Sequence, residues 1–466
     1  MDYPTQFDPK IVLKDPAFSI IKGVPKRDTA VVSFNRTSPA LTSQSEASTR
    51  VRSAYEYLLT LRKLYSLPHL LHQYLLSNKS QHKQIHLISK PVPKAGPGQV
   101  VVHIRATGIC GKLFHLYVLL GFDLFLSRGT SGSDCHFWKH GRIGESMVVR
   151  DECGAGHESA GQVIEIGEGV NTVRVGDRVA VEAGIPCGDC EFCRIGRYNA
   201  CPTVVFFSTP PYHGTLTRYH LHPASWVHKI PDSVTYEEGS VLEPLSVALA
   251  GIERSGLSLG DPLLIAGAGP IGLVSLLAAH AAGATPIVLT DLSEHRLNFA
   301  KTLVPSVRTV VIERSWTAQE IATKVKEAAG LPGGLNCALE CTGVESSVQA
   351  AIYFVIGVGK DFQNLPIMHM STNEIDLKLQ YRYANQYPKA IRLVEAGLIN
   401  LKPLVTHRFT LENAVEAFET AVDISRGGKL AIPTRNFRKL ISYFLHSDQV
   451  PNYRRRPAWI RLVDSL

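Results

Sequence analysis

The sequence predicts an all-β domain joined to an α/β domain with a buried parallel sheet. From about Ile85, short runs rich in Val and Ile alternate with Gly-Asp turns, a pattern typical of an antiparallel barrel. After Glu243 the pattern changes. Residues 262–266 form a continuous apolar run, residues 272–282 read as an Ala- and Leu-rich helix, and residues 286–290 are apolar again. Strand, glycine-rich turn, helix and strand make a βαβ unit, which indicates a doubly wound α/β domain.

These changes of pattern also predict the domain boundaries. We assign three segments: the barrel domain at 81–245, the α/β domain at 246–383 and a return to the barrel at 384–432. The return segment ends in a predicted strand at residues 430–432. Residues 1–80 and 433–466 match neither pattern and are predicted to be disordered, although the Leu and Tyr spacing over residues 55–76 is helical.

The net charge of +8 comes from the two ends of the chain. Residues 1–80 and 433–466 each carry a net charge of +5, so that residues 81–432 carry −2. A near-neutral body excludes a basic groove for nucleic acid. The longest apolar run, residues 113–126, is too short to span a bilayer. The first residues show neither a signal-peptide pattern nor an acid-poor transit peptide, so we expect a cytoplasmic protein without a membrane span.

A C-x2-C-x2-C-x7-C run contains Cys187, Cys190, Cys193 and Cys201. Cys-x-x-Cys spacing lets two thiolates meet one tetrahedral ion, and four thiolates close a structural zinc site. Disulfides are a competing interpretation, but they need an oxidising compartment. An iron–sulfur cluster also uses four cysteines, but the run lacks the C-x3-C-P ending of bacterial ferredoxins. The run therefore predicts a structural zinc lobe.

A G-x-G-x-x-G motif follows the first strand of the βαβ unit and opens its helix. It consists of Gly267, Gly269 and Gly272, with Pro270 and Ile271 before the third glycine. The first glycine allows a tight turn, the second allows close approach of a pyrophosphate, and the third packs helix on strand. This context predicts a Rossmann dinucleotide site rather than a glycine-rich structural turn.

An acidic residue closes the second strand of the same unit. Asp291 stands where a carboxylate bonds the ribose 2′-hydroxyl and repels a 2′-phosphate, which favours NAD over NADP. Arg296 is predicted to flank the adenosine ribose. The alternative is that Asp291 only caps the following helix.

A second, mixed set of metal-ligand types consists of Cys110 and the adjacent pair His157-Glu158. Thiolate, imidazole and carboxylate leave a fourth position on zinc for water or substrate. An open zinc beside a nicotinamide favours alcohol oxidation. Taken singly, a cysteine is usually a small buried hydrophobe and a His-Glu pair is often solvated. Glu243 can touch such a metal or its water, or can be a helix N-terminal acid favoured by the dipole.

Together these motifs resemble the zinc-dependent medium-chain dehydrogenases, and within them the polyol dehydrogenases that act on L-arabinitol, sorbitol or xylitol. The resemblance extends from near Ile85 to near Ile432. The matching sequence segments are GICG, SDCHFWKHGRIG, GHESAG, FFSTPPYHGTLTRY, LEPLSVALAGIERSG, GAGPIG, ECTGVESS and QYRYANQYPKAIRLV. It implies a GroES-like catalytic barrel with a Rossmann NAD-binding domain.

The resemblance also implies roles for single residues. Cys110, His157 and Glu158 match the catalytic zinc ligands, and Glu243 matches the acid that holds the zinc-bound water. Ser133 matches the hydroxyl residue that contacts the substrate and relays its proton. Four further residues match positions that line the polyol pocket: Arg382, Tyr383, Phe137 and Tyr219. The glycine motif with Asp291 and Arg296 matches the NAD site, and the four-cysteine run matches the structural zinc.

The implied activity is NAD⁺-dependent oxidation of a secondary hydroxyl of an alditol to the ketose, as in L-arabinose catabolism. The expected protein is a cytoplasmic homotetramer with one catalytic and one structural zinc per chain. Two alternatives stay open: a catalytically impaired homologue that binds NAD and zinc, and a zinc alcohol dehydrogenase for another substrate. The pair Arg382-Tyr383 argues against the second, because a polyol needs several hydrogen-bonding partners along its chain.

The chain departs from the family pattern at two internal places. Residues 112–132 split the family text CGSD and place 21 residues between Gly111 and Ser133. Gly-Lys at the start of this insert is what a GGTAAG splice donor encodes, so our hypothesis is an unspliced intron, which transcript sequencing tests. At residues 353–354 a predicted helix from residue 345 runs into a strand without the family's glycine turn. We expect this deletion to misplace the strand that approaches the nicotinamide.

Overall fold

The computed structural model describes residues 70–77, 84–110, 132–144, 147–351, 354–355, 363–422 and 429–433. The strands are β1 (Leu70–Ser77), β2 (Gln84–Pro91), β3 (Gln99–Ile109), β4 (Arg142–Ile143), β5 (Met147–Val148), β6 (Cys153–Gly154), β7 (Glu158–Ile166), β8 (Arg178–Val181), β9 (Gly184–Ile185), β10 (Val205–Phe206), β11 (Tyr219–Pro223), β12 (Val227–Lys229), β13 (Leu263–Ala266), β14 (Ile287–Asp291), β15 (Arg308–Val311), β16 (Cys337–Glu340), β17 (Phe354–Val355), β18 (Lys378–Leu379), β19 (Val405–Arg408) and β20 (Lys429–Pro433). The α-helices are α1 (Ser133–His140), α2 (Glu191–Arg194), α3 (Tyr236–Ser255), α4 (Pro270–Ala281), α5 (Glu294–Leu303), α6 (Ala318–Ala329), α7 (Glu345–Ala351), α8 (Ile367–Thr372), α9 (Tyr387–Glu395) and α10 (Ala414–Val422).

The first large sheet forms the barrel-like part of the chain. Its spatial order is β12-β8-β7-β3-β20-β19, and β11 also pairs with β3. Its pairs are antiparallel except for β19 with β20. Because β19 and β20 come from the end of the described chain, the polypeptide returns to its first sheet after completing the second. The predicted last strand lies within β20, and the division of the chain into domains stays a prediction.

The second large sheet is the parallel sheet that the βαβ pattern predicts. Its spatial order is β15-β14-β13-β16-β17-β18, and all its pairs are parallel. The chain first builds outward from β13 through β14 to β15, and then crosses back to place β16 on the other side of β13. Ligands of doubly wound sheets bind at such a reversal, beyond the carboxyl ends of the strands. The predicted α/β architecture is confirmed.

The long helix α3 connects the two sheets. It begins with a capping box, in which Thr235 accepts the Glu238 N–H at 3.2 Å and Glu238 accepts the Thr235 N–H at 3.0 Å. It ends at Gly256, which has a φ of 80°. One hydrophobic core cluster includes Ala160 of the first sheet, Leu245 of α3 and Leu263 of the second sheet. The helix therefore fixes the barrel relative to the parallel sheet.

The amino-terminal segment differs from expectation. Residues 70–77 belong to the part predicted to be disordered and have helical Leu spacing, yet they form β1. This strand pairs antiparallel with β2 over its whole length and also with β6. Backbone pairing with two neighbours outweighs the weak local helix preference of this segment. Residues 1–69, 78–80 and 434–466, which belong to the same predicted disordered segments, lie outside the described residues.

Both internal departures from the family pattern touch residues that the structure does not describe. Helix α7 ends at Ala351, and β17 begins at Phe354 and pairs with β16 and β18. Residues 352–353 and 356–362 lie outside the described part, as do residues 111–131. The predicted misplacement of the strand after residue 353 therefore stays a prediction. Within the described residues, no helix is both long and apolar enough to cross a membrane.

Candidate metal centres and dinucleotide site

Cys110, His157 and Glu158 meet at the ends of two neighbouring strands. Cys110 follows β3 directly, and Glu158 opens β7 opposite Gly108 of β3. One ligand atom from each of the three residues lies within 4.8 Å of the other two. A Cβ on Gly108 would lie 2.1 Å from Oε2 of Glu158, so only glycine leaves room for the carboxylate there. A thiol, an imidazole and a carboxylate at this spacing fit an open zinc site.

A buried carboxylate, Asp134, orients this cluster. Its Oδ1 lies 3.4 Å from Nδ1 of His157 and accepts hydrogen bonds from Ser208 Oγ at 2.7 Å and from the Gly156 N–H at 3.1 Å. Its Oδ2 accepts the Cys110 N–H at 3.1 Å. Burial alone raises the pKa of Asp134, but the charge of His157 and these hydrogen bonds outweigh it and lower the pKa. A carboxylate on Nδ1 leaves Nε2 of the imidazole for a metal.

Ser133 stands beside the cluster at the beginning of α1. Its Oγ lies 3.4 Å from Nε2 of His157. The Cys110 carbonyl accepts the Cys135 N–H at 3.3 Å, so the chain leaves the cluster at Cys110 and returns to it by Ser133. The residues on the two sides of the insert at 112–132 are therefore close together in space, although the insert separates them in the sequence.

Phe206 lies between His157 and Arg382, although sequence analysis did not select it. Its ring centroid is 5.7 Å from that of His157, and Cζ of Arg382 lies 3.5 Å from the Phe206 centroid on the face of the ring. Arg382 also donates from Nη2 to Oγ1 of Thr209 at 3.2 Å. The ring and the hydroxyl hold the guanidinium next to the metal cluster. The signal available in the sequence was the Phe206-Phe207 pair that begins the FFSTPPYHGTLTRY text.

Two more of the predicted residues lie near Arg382. Burial lowers the pKa of Arg382, and electrostatic interactions with Tyr381, Tyr383 and Glu243 oppose that effect. Burial raises the pKa of Tyr383, and the charges of Tyr387 and Glu243 raise it further. Glu243 is itself buried within α3. The structure therefore brings Glu243, Arg382 and Tyr383 into one electrostatic neighbourhood.

Phe137 and Tyr219, both predicted to line the pocket, have different surroundings. Phe137 lies one turn after Ser133 in α1, with its side chain in the hydrophobic core. Tyr219 opens β11 opposite His103, and its ring packs on that histidine at 4.9 Å between centroids. His103 precedes Cys110 on β3 by a distance of about 20 Å along the strand. The structure therefore places Tyr219 away from the cluster, because the pairing of β11 with β3 sets its position.

The four cysteines of the C-x-x-C run also converge. The Sγ atoms of Cys187, Cys190, Cys193 and Cys201 lie within 4.8 Å of one another. All nine cysteines of the chain are free, so the disulfide interpretation fails. Cys187 Sγ accepts the N–H groups of Asp189 at 3.5 Å and Cys190 at 3.3 Å, and these bonds lower the pKa of Cys187 to about 6. A thiolate cage with such N–H donors fits a closed zinc site.

The glycine motif has the shape that a dinucleotide requires. Gly267 has a φ of 101°, and a Cβ on Gly272 would lie 1.7 Å from the Gly267 carbonyl oxygen. A Cβ on Gly269 would meet nothing within 4 Å. Pro270 and Ile271 open α4 and are half-buried. The open space at Gly269, directly before a helix N-terminus, fits a pyrophosphate.

Asp291 and Arg296 form a buried pair at the edge of this turn. Oδ2 of Asp291 accepts the Ala268 N–H at 2.8 Å, and Oδ1 accepts the Ser293 N–H at 2.8 Å. Nη1 of Arg296 donates to Oδ2 at 3.2 Å. The carboxylate therefore braces the glycine turn through Ala268, and its contact with the ribose stays a prediction. The alternative interpretation was that Asp291 only caps the following helix. The hydrogen bond from the Ser293 N–H to Asp291, just before that helix, agrees in part with this interpretation.

Comparison with known proteins agrees with this geometry. The alcohol dehydrogenase GroES-like domain matches residues 125–232, and the zinc-binding dehydrogenase domain matches residues 270–396. The L-arabinitol 4-dehydrogenase of Aspergillus oryzae is 53% identical over 346 residues, which are 71% of this chain and 85% of that enzyme. The sorbitol dehydrogenase of Mus musculus is 44% identical over 345 residues, which are 72% of this chain and 89% of that enzyme. The chain belongs to the zinc-dependent polyol dehydrogenases.

A solved structure shows the same architecture. The 2R,3R-butanediol dehydrogenase of Bacillus subtilis superimposes with a TM-score of 0.66 at 26% sequence identity, covering 78% of this chain and 100% of that one. The predicted GroES-like and Rossmann architecture of this polyol dehydrogenase is confirmed. The GroES-like match begins at residue 125, within the insert and after Cys110. The insert therefore separates one predicted zinc ligand from the matched part of its own domain.

Two glycine substitutions in this polyol dehydrogenase should affect different properties, one NAD affinity and the other stability. Gly269→Ala places a methyl group in open space at a φ of −77°, so the fold should be unchanged while NAD affinity falls about 10²-fold. Gly272→Ala overlaps the Gly267 carbonyl and should lower the free energy of unfolding by about 3 kcal/mol. Nucleotide fluorescence titration and urea unfolding measure the two effects. Unchanged NAD affinity in Gly269→Ala would show that the pyrophosphate lies elsewhere.

Proposed function

We propose that this chain is a zinc- and NAD⁺-dependent alditol dehydrogenase that oxidises a secondary hydroxyl of L-arabinitol to the ketose. The observation that carries the proposal is the cluster of Cys110, His157 and Glu158, with Ser133 Oγ 3.4 Å from His157. Arg382 lies beside it on the ring of Phe206. L-arabinitol is preferred over sorbitol because relatives named for it reach 53% identity, against 44% for sorbitol dehydrogenases.

Each residue has a separate task in the proposed reaction. Cys110, His157 and Glu158 would hold a zinc ion, which would supply the Lewis acidity that favours loss of the hydroxyl proton, and NAD⁺ at the glycine turn would supply the hydride acceptor. Ser133 Oγ would accept the hydroxyl proton while its own O–H proton passes to a solvent water molecule. The guanidinium of Arg382 donates hydrogen bonds to neighbouring hydroxyls of the carbon chain. These positions decide which hydroxyl faces the nicotinamide.

Several further features complete the proposal. Glu243 would hold a water at the metal site, and Tyr383 would contact the polyol, as the family resemblance implies. NAD is the cofactor rather than NADP, because the buried carboxylate of Asp291 disfavours a 2′-phosphate. The four-cysteine lobe holds a second, structural zinc, which gives one catalytic and one structural ion per chain. In line with the family resemblance, the protein acts as a cytoplasmic homotetramer in L-arabinose catabolism, without nucleic-acid or membrane partners.

The proposal is tested by the initial rate of NADH formation with a panel of alcohols. The panel comprises L-arabinitol, xylitol and sorbitol, with ethanol and threonine as comparisons and NADP⁺ as the alternative cofactor. We expect kcat/KM for L-arabinitol to exceed that for ethanol by at least about 10²-fold, since ethanol leaves Arg382 without a hydroxyl partner. Turnover of ethanol or threonine alone would assign another substrate class. Binding of NAD without turnover of any alcohol would support the impaired homologue.

A further inference from the structure

The loop that carries Arg382 contains two residues in an unfavourable backbone conformation, which contacts with neighbouring residues must stabilise. Arg382 has a φ of 51° and Asn385 a φ of 59°, both in the left-handed region that residues other than glycine rarely adopt. Such conformations persist when the surroundings determine them more strongly than the local preference. The neighbours of this loop therefore decide where the guanidinium of Arg382 lies.

Several of those neighbours belong to the four-cysteine lobe, while Thr209 contacts the Arg382 side chain and Glu253 contacts Gln386. Between Cys193 and Cys201, three residues make polar contacts to the loop: Gly196, Tyr198 and Asn199. Asn199 Nδ2 donates to the Tyr381 carbonyl at 2.7 Å, on one side of Arg382. On the other side, the Asn385 N–H donates to Tyr198 Oη at 2.7 Å, and Asn385 Nδ2 donates to the Gly196 carbonyl at 2.9 Å. The lobe thus holds both ends of the segment that presents Arg382.

Among the lobe residues that contact the loop, Tyr198 also makes close contacts with the barrel. Its hydroxyl donates to Oε1 of Glu182 at 2.7 Å, and Glu182 is 2% exposed. Oε2 of Glu182 lies 2.7 Å from Nε2 of His228. The ring of Tyr198 packs edge-on against Trp226 with centroids 5.0 Å apart. The Tyr198 hydroxyl therefore links the barrel core to the loop. It donates a hydrogen bond to Glu182 in the core and accepts one from the backbone N–H of Asn385 in the loop.

We propose that Tyr198 is a positioning residue for the alditol, because it fixes the Asn385 backbone and thereby places Arg382 on Phe206 beside the metal cluster. This inference rests on the proposed function, since it assigns to the lobe the task of setting polyol affinity. It gives the lobe a role in specificity beyond the stability that a closed zinc site supplies. The dinucleotide site, built on β13 and β14, does not depend on this contact.

The test compares Tyr198→Phe with the wild-type enzyme. Phenylalanine keeps the packing on Trp226 and removes only the hydroxyl. We expect the KM for L-arabinitol to rise about tenfold while kcat changes less than twofold and the affinity for NAD stays the same. Tyr236→Phe is the matched control, since it also removes one tyrosine hydroxyl from the barrel side of the molecule, and it should leave all three quantities unchanged.

A double variant distinguishes positioning from general destabilisation. If Tyr198 acts through Arg382, the tenfold effect of Tyr198→Phe should disappear in an Arg382→Gln background. A KM effect of Tyr198→Phe that persists in Arg382→Gln, or equal losses for L-arabinitol and NAD, would overturn the inference.

Hydrogen–deuterium exchange gives a readout that is independent of activity. In Tyr198→Phe the amides of residues 381–386 should exchange faster than in the wild type, while those of residues 263–291 should not change. Unchanged exchange at residues 381–386 would refute the positioning role even if the enzyme oxidised no alditol. Absence of alditol turnover in the wild type, with faster exchange in the variant, would instead reject the proposed function and leave the mechanical link intact.

Discussion

Cys110→Ser should remove one zinc ion per chain and lower the rate of alditol oxidation by about 10³-fold. Cys110 supplies the thiolate of a three-residue set whose ligand atoms lie within 4.8 Å of one another. A Lewis acid at this position contributes several kcal/mol to the transition state, and each 1.36 kcal/mol is a factor of ten in rate. The N–H of residue 110 still donates to Asp134 after the substitution, so the local backbone should persist. Zinc content by elemental analysis and steady-state rates measure both effects.

Cys190→Ser is the matched variant at the other metal centre. It should also remove one zinc ion, but here the loss should appear mainly as a lower thermal midpoint, because four thiolates leave no position for substrate. Cys337→Ser, which alters a buried thiol of β16, should keep both ions. The account of two distinct zinc sites is wrong if Cys110→Ser retains two ions per chain and the wild-type rate.

Deleting residues 112–132 should stabilise the enzyme by about 2 kcal/mol, because fewer residues then have to be closed between Cys110 and Cys135. The Cys110 carbonyl already accepts the Cys135 N–H at 3.3 Å. In the shortened chain these two groups would be four residues apart, which is the spacing of an α-helical hydrogen bond. The junction therefore needs no rearrangement of α1, of Ser133 or of Asp134. Urea midpoints should rise, and both zinc ions and the alditol activity should be retained.

A second version separates the length of the insert from its sequence. Replacing residues 112–132 with a Gly-Ser linker of equal length should give the stability of the full chain, since the number of residues to be closed is unchanged. If the deletion instead removes the zinc held by Cys110, the insert contributes to the site. If the linker variant is as stable as the deletion, loop closure is not the cause of the gain.

Features that depend on local spacing could be predicted from the sequence. The four cysteines lie within fifteen positions, and the glycine motif lies between a strand and a helix, so each could be interpreted without knowing the fold. The βαβ unit was recognisable because its strands are uniformly apolar and buried on both faces. In these cases the residues that act together are also neighbours in the chain.

Features that depend on pairing between distant segments could not be predicted in the same way. Phe206 and Asp134 reach His157 only after β7, β10 and α1 have packed together. Tyr219 stands within a matching text, but the register of β11 on β3 places it opposite His103. Leu70–Ser77 has helical spacing but forms a strand because β2 and β6 offer backbone partners. Tertiary pairing overrode local pattern at each of these places.

The most direct test of the proposed function is NADH formation from L-arabinitol by the 466-residue chain, before and after removal of zinc with a chelator and after its return. We expect turnover with two zinc ions bound per chain, loss of turnover in the metal-free protein, and recovery when zinc is restored. Oxidation that continues without zinc would contradict the role given to Cys110, His157 and Glu158. A chain that binds both zinc and NAD but oxidises no alditol would contradict the assignment of function.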